Sequence, residues 1–277
     1  MNETSSKPIL ILGGTGKTGR RLADRLTARD LPVRIGSRST IPAFGWENTA
    51  TWGAALDGVG AVYISYYPDL AVPGAAETVG EFARLAMVSG VRRLVLLSGR
   101  GEPEAQRAEE MLKASGADWT ILRCAWFAQN FSESFLLDPA LADEVALPVG
   151  NVGEPFVDAD DIADAAMAAL TQPGHEHQLY ELTGPRLLTF AEAIAEIARA
   201  TGRNIRYTQI SHAAFDAMLR EQHVPAEFVG LLNELFTEVL DGRNSHLTDG
   251  VQRVLGRAPK DFTAYASETA ATGIWSN

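Results

Sequence analysis

Residues 9–26 read ILILGGTGKTGRRLADRL, and no other stretch narrows the choice of fold as far. A short apolar, β-branched run comes first and a glycine-rich turn follows. Arg20, Leu22 and Leu26 then recur at helical spacing. Gly16-Lys17-Thr18 looks like the end of a triphosphate loop, G-x-x-x-x-G-K-[ST], but that pattern needs a glycine where the chain has Ile11. The triphosphate reading fails on its spacing. What remains is Gly14-x-Gly16-x-x-Gly19, overlapped by Gly13-x-x-Gly16-x-x-Gly19, between a strand and a helix. That is the context of a dinucleotide fingerprint, in which glycines let a pyrophosphate approach backbone N–H groups and the positive end of a helix. The competing reading is an ordinary strand-to-helix turn.

The pattern beyond the glycines extends this start into an α/β fold. Apolar runs at 8–12, 33–36, 61–66, 93–98 and 119–123 alternate with helical patterns at 17–29, 50–56, 73–89 and 104–114. Near-continuous apolar strands separated by helices imply a parallel sheet covered on both faces. Residues 158–170 read as a helix with acids in its first turn, and 177–184 as another strand. From Leu188 the pattern turns helical, at 190–200, 213–222 and 225–240, followed by a frayed end. The expected architecture is a Rossmann-type doubly wound parallel sheet over residues 7–184, with a smaller, mainly helical C-terminal substrate lobe over 185–277.

Composition limits what such a chain can meet. Among 277 residues the net charge is −11, which disfavours nucleic acid, whose phosphates need a basic surface. No apolar run approaches the length of a membrane span. The single cysteine, Cys124, excludes an internal disulfide and fits a reducing compartment; the polar start, MNETSSKP, reads as a short tail without a signal peptide. The expectation is a cytoplasmic protein acting on a small molecule, as a monomer or an oligomer.

Ligands of doubly wound sheets lie beyond the carboxyl ends of the strands, so the residues there carry the functional reading. After the second strand comes GSRST, with no acid between Leu31 and Ile41 to hold the ribose hydroxyls of NAD. Ser37, Arg38 and Ser39 instead offer one cation and two hydroxyls, which suit a 2′-phosphate and favour NADP(H); the alternative is a solvated basic turn. Lys17 could add charge to the same phosphate or lie exposed. After 61–66 comes SYYPD, where Ser65 would meet the cofactor. Tyr66 and Tyr67 would either donate a hydroxyl or pack as wall. Ser98 stands at the next strand tip, in LSGRGEP, as a cofactor and catalytic candidate. After the last strand of this series RCAWFAQNF offers Trp126, Phe127, Asn130 and Phe131 as a lid on an apolar pocket, with Gln129 as a further orienting amide, or as buried core.

Taken together, ILGGTGKTG, RLVLLSGRG, AEEMLKASGADWTILRCAWFAQNF, FVDADDIADAA and YELTGPRLLTFAEAIAEIARATGR resemble the NmrA-like branch of atypical short-chain dehydrogenases/reductases. GGTGKTGRRLADRL, GSRS and TWGAALDGVGAVY are most similar to its subgroup of ergot-alkaloid reductases, which includes agroclavine dehydrogenase and festuclavine synthase. The resemblance spans about residue 7 to about residue 210. It implies NADP(H) held by Gly13, Gly16 and Gly19 and supports Ser37 and Arg38 as contacts of the 2′-phosphate; Thr15, Lys17 and Thr18 of the same loop are further cofactor candidates. Two departures matter. Cys124 stands where the branch usually has proline, a packing change. The Tyr-x-x-x-Lys pair of the wider family falls on Pro103-Glu-Ala-Gln-Arg107, so both of its members are absent. Carbonyl reduction would then leave an alkoxide without an obvious proton donor. An iminium carbon becomes a neutral amine without needing one, and quinones or enones spread the incoming charge. The expectation is a reductase for such acceptors, or else an NADP(H)-binding redox sensor without catalysis.

Elsewhere the readings are structural. His175 and His177 lie in a turn with no third ligand beyond Glu176, so a solvated loop outweighs a metal site. His212, His223 and His246 are scattered, though His223 could reach the pocket from the C-terminal lobe. Asp158 and Asp161 suit the first turn of a helix, and 228–240 reads as core, pocket lining or subunit contact.

Overall fold

The structure, a computed structural model, describes residues 7–276; the polar tail at 1–6 and Asn277 lie outside the described residues. Its strands are β1 (Ile9–Leu12), β2 (Val33–Gly36), β3 (Ala61–Ile64), β4 (Arg93–Gly99), β5 (Asp118–Cys124), β6 (Glu144–Leu147), β7 (Gln178–Leu182) and β8 (Arg206–Gln209). Six of them form one parallel sheet in the order β2-β1-β3-β4-β5-β7. The order reverses at β1, where Ile11 pairs with Ile35 on one side and Tyr63 on the other. A crevice therefore opens beyond the carboxyl ends of β1 and β3.

Alternation along the strands assigns the helices to faces. Leu10, Leu12, Val62, Ile64, Leu94, Leu96 and Ile121 pack against α2 (Trp52–Leu56), α3 (Ala75–Val88) and α4 (Pro103–Ala114). The intervening Ile9, Ile11, Tyr63, Val95 and Leu122 pack against α1 (Lys17–Thr27), α7 (Ala159–Thr171) and α11 (Gly250–Leu255). Both faces are buried, which is why these strands read as unbroken apolar runs. Salt links reinforce the second face: Arg25 reaches Asp160 at 2.8 Å and Asp164 at 2.6 Å, tying α1 to α7.

The lobe contains α5 (Asn130–Glu133), α6 (Leu137–Leu141), α8 (Phe190–Thr201), α9 (His212–Glu221), α10 (Ala226–Glu234) and α12 (Phe262–Ala271). Here the structure departs from the sequence expectation in three ways. The lobe includes a two-stranded parallel sheet, β6 with β8. Its core combines Phe131, Leu136, Val145 and Phe156 with Phe190, Ile194, Phe236 and Trp275, so the split at 184/185 cuts through it. The frayed end is instead helical. α11 returns to the first domain, where a Cβ on Gly250 would lie 2.1 Å from the Glu181 carbonyl, and α12 packs on α8. Among the described residues no helix is long and apolar enough to cross a membrane.

Candidate functional site

The glycines divide into those the fold needs and one that leaves room for a ligand. Gly13 has φ 70° and lies against Ser65, so it fixes the turn between β1 and the tip of β3. A Cβ on Gly14 would sit 2.7 Å from Ile35, and one on Gly19 only 2.3 Å from the Gly13 carbonyl. Gly16 differs. Its Cβ would meet only the Gly13 oxygen, at 3.2 Å, and otherwise stand in open space at the N-terminus of α1. No acid occupies the first turn of α1, so its free N–H groups face an uncluttered cradle. These residues fit a pyrophosphate. Thr18 is buried and its hydroxyl accepts a hydrogen bond from the Tyr63 hydroxyl at 2.9 Å. Lys17 is partly buried; desolvation lowers its pKa against the pull of Glu133 and Asp69.

Beyond β2 the loop folds on its own hydroxyls. Ser37 Oγ and Ser39 Oγ are 3.1 Å apart, and Thr40 Oγ1 donates to the Ser37 carbonyl at 2.9 Å. Arg38 is exposed and, among the described residues, makes no hydrogen bond or ion pair through its side chain, whereas Arg34 is occupied by the carbonyls of Ala55 and Asp57. Arg38 is therefore the cation of this loop that remains available to an anion.

At the tip of β3 the two tyrosines part company. Tyr66 packs on Trp46 with ring centroids 4.9 Å apart, while Tyr67 is 62% exposed on the rim. Packing is thus evident for Tyr66, and neither hydroxyl is engaged by another described residue.

Several candidates from the sequence prove to be scaffold. Ser98 is buried and donates to Glu109 Oε1 at 2.7 Å, and Arg123 clamps the same carboxylate at 2.9 and 2.5 Å. This interior triad pins α4 to β4 and β5, so Ser98 is not an exposed catalytic hydroxyl. Phe131 is fully buried among Phe156, Phe190 and Phe262, which removes it from any substrate surface. The Gln129 amide accepts Ala159 N–H and donates to Asp158, which caps α7 as expected. His223 is exposed, its ring beside the Arg220 carbonyl at 3.5 Å. His175 is held by the Tyr180 hydroxyl at 2.9 Å, and the described residues contain no cluster of metal-ligating side chains.

Trp126 is partly buried against Phe135, Phe190 and Phe236, with Phe127 bridging to Val157 and Asn130 opening α5 nearby. The Trp126 N–H donates to Glu154 Oε1 at 3.1 Å. The other Glu154 oxygen is buried without a partner, and burial lifts this carboxyl to a pKa of about 7. Residues that sequence reasoning passed over also gather here: burial raises the pKa of Asp69 beyond β3 and of Glu102 beyond β4, and the negative charge of Glu234 on α10 adds to both shifts. No short spacing in the sequence links them, because three separate elements deliver them.

With this geometry in view, comparison with known proteins decides the family. The model of the NAD(P)H-binding family matches residues 13–173, more than half of the chain. The chain belongs to that family. Agroclavine dehydrogenase of Claviceps fusiformis is 30% identical, over 96% of this chain and 98% of its own. Prestalk A differentiation protein A of Dictyostelium discoideum is 28% identical, over 97% and 94%. Among solved structures, the NADPH complex of an Escherichia coli NADPH-dependent quinone oxidoreductase superposes with a TM-score of 0.80. It has 22% identity and covers 94% of this chain and 99% of its own, which speaks to the fold. The NmrA-like resemblance read from the sequence and the Rossmann-type sheet are both upheld.

Proposed function

We propose that the protein is an NADPH-dependent reductase that delivers hydride to iminium or imine, quinone or enone acceptors. The observation that carries this reading is the fate of the Tyr-x-x-x-Lys positions. Pro103 merely opens α4, and Arg107 turns outward to pair with Glu104 and Glu77 on the surface. Acceptors that tolerate the loss of that pair are favoured. The names of agroclavine dehydrogenase and of the quinone oxidoreductase are consistent with such chemistry in relatives.

Bound NADPH would supply the hydride. The chain's own residues hold and confine the reactants. Gly16 and the N-terminus of α1 would receive the pyrophosphate, while Arg38 with Ser37 and Ser39 would hold the 2′-phosphate and exclude NADH by comparison. Ser65 borders the glycine turn, and Tyr66, Tyr67, Trp126, Phe127 and Asn130 would enclose the acceptor. The carboxylates at Asp69 and Glu234 would favour a cationic acceptor over an anionic one.

The test is calorimetric titration with NADPH, followed by spectrophotometric assay of NADPH oxidation across iminium ions, quinones, enones and plain ketones. Turnover of the first three classes above ketones is expected. Tight NADPH binding with no acceptor reduced would replace this reading with that of a redox sensor.

A further inference from the structure

The turn from β4 to α4 reads Ser98-Gly99-Arg100-Gly101-Glu102, and contacts fix each of its middle residues. Arg100 is buried, donating to Glu181 and to the carbonyls of Asn244 and His246. Gly101 has φ 74° and packs so closely on Asn244 that a Cβ there would overlap the side-chain amide. With these two pinned, the chain doubles back and Glu102 lays its carboxyl over Gly99. A Cβ at position 99 would lie 2.1 Å from Glu102 Oε1, so only glycine leaves the carboxyl room.

The placement is specific. Gly99 ends β4 and pairs in register with Cys124 of β5, two residues before Trp126, so the carboxyl stands on the crevice side of the sheet near the proposed acceptor pocket. Glu102 is the N-cap of α4, yet its side chain caps nothing. Among the described residues it accepts no hydrogen bond and meets no cation within ion-pair distance. The charged and titratable groups facing it are Asp69 beyond β3, Glu234 on α10, Glu109 on α4 and the Cys124 thiol on β5, with Lys17 of α1 beyond Asp69. Burial first, and then these carboxylates, push the Glu102 carboxyl well above the ordinary range, which favours its protonated form.

We infer that Glu102 is the proton donor of this site, serving acceptors whose reduction leaves a negative oxygen. The inference rests on the reductase reading above and supplies what the missing tyrosine would have given. A quinone or enone gains the hydride and its two electrons, and NADPH is oxidised. The Glu102 O–H bond breaks, its proton bonds to the anionic oxygen of the acceptor, and the electron pair stays on the carboxylate. Solvent then reprotonates Glu102, which is only partly buried. An iminium ion needs no such proton and bypasses the residue.

Glu102→Gln keeps the shape and removes the acid, and it is tested in the full chain with cofactor bound. Quinone turnover should fall about 10²- to 10³-fold, the scale of general-acid assistance, while iminium turnover and the dissociation constant for NADPH stay close to wild type. The wild-type rate with quinones should decline on the alkaline side as Glu102 deprotonates, and that limb should vanish in the variant. Glu102→Asp should recover part of the quinone rate. Independently of turnover, the infrared difference spectrum between wild type and Glu102→Gln with NADP⁺ at pH 7 should contain the carbonyl band of a protonated carboxylic acid. Carboxylate bands in its place, or undiminished quinone reduction by the variant, would overturn the inference. If wild type binds NADPH but reduces no acceptor, the reductase reading fails and the donor role with it, whatever the infrared band shows.

Discussion

Gly16→Val and Gly19→Ala should fail in opposite ways, and the larger side chain should be the gentler one for folding. At Gly16, φ −79° and ψ 178° are extended values that valine adopts freely, and its Cβ needs a few tenths of an ångström from one carbonyl. The folding cost is therefore within about 1 kcal/mol, as for other changes at a helix N-cap. The branched side chain, however, fills the cradle at the head of α1. NADPH and NADH should both lose at least tenfold in affinity, about 1.4 kcal/mol. At Gly19 even one methyl group would lie 2.3 Å from the Gly13 oxygen and 2.8 Å from its carbonyl carbon, both backbone atoms that no rotamer can move. Overpacking of that kind costs roughly 1–3 kcal/mol. In a protein of this size that lowers Tm by on the order of 5 °C. Calorimetry with each cofactor and thermal unfolding followed by circular dichroism separate the two effects. Wild-type NADPH affinity in folded Gly16→Val would refute the assignment of the cradle, and an unchanged Tm in Gly19→Ala would refute the packing argument.

Arg38→Ala should raise the dissociation constant for NADPH about tenfold while leaving that for NADH unchanged, since only the 2′-phosphate calls on the guanidinium. Equal weakening of both cofactors would count against that role. Glu154 makes the protein pH-sensitive: its folded pKa of about 7 lies above the ordinary 4.5, so the native state binds the extra proton between those values. Stability from this group is complete below about pH 4.5 and is lost as pH rises through 7, by on the order of 3 kcal/mol. Glu154→Gln retains an acceptor for the Trp126 N–H, so urea unfolding of wild type and variant at pH 5 and pH 8 should show the variant gaining on wild type at the higher pH. Tyr67→Phe, at an exposed rim position with its hydroxyl unengaged, should lower turnover only modestly; a collapse of quinone reduction there would shift the donor role from Glu102 to Tyr67.

The central strands of the main sheet were legible because burial on both faces leaves β1, β3 and the middle of β4 apolar, as in LVLL at 94–97, and because Gly13 to Gly19 mark where the first ends. β6 and β8 were not, since EVAL and RYTQ are short, half-exposed and paired across a long chain separation. Arg38 was singled out by what its loop lacks, an acid, and its exposed, unengaged side chain leaves it available to an anion. Ser98 and Phe131 were misjudged for one reason: position after a strand says which edge a residue reaches but not which way its side chain turns. The interior partners Glu109 and Phe190 decide that. Glu102 escaped notice because its significance lies in the return of the chain over Gly99, forced by a buried arginine and a glycine pressed against an asparagine some 140 residues away in the sequence. Pairings of that range leave no periodic trace.

The weaving of the lobe has a practical side. Its core is assembled from the stretch that precedes α7, from the helices after Leu188 and from the closing helix α12, while α11 between them belongs to the sheet. No single peptide cut frees it, and no contiguous cassette carries the proposed acceptor pocket from one relative to another. Transplanting specificity would mean exchanging the segment that bears Trp126 together with the one that bears Phe236, because those two rings touch at 5.2 Å across the gap in the sequence. A chimera joined at one crossover would bring together two halves of a pocket shaped for different neighbours.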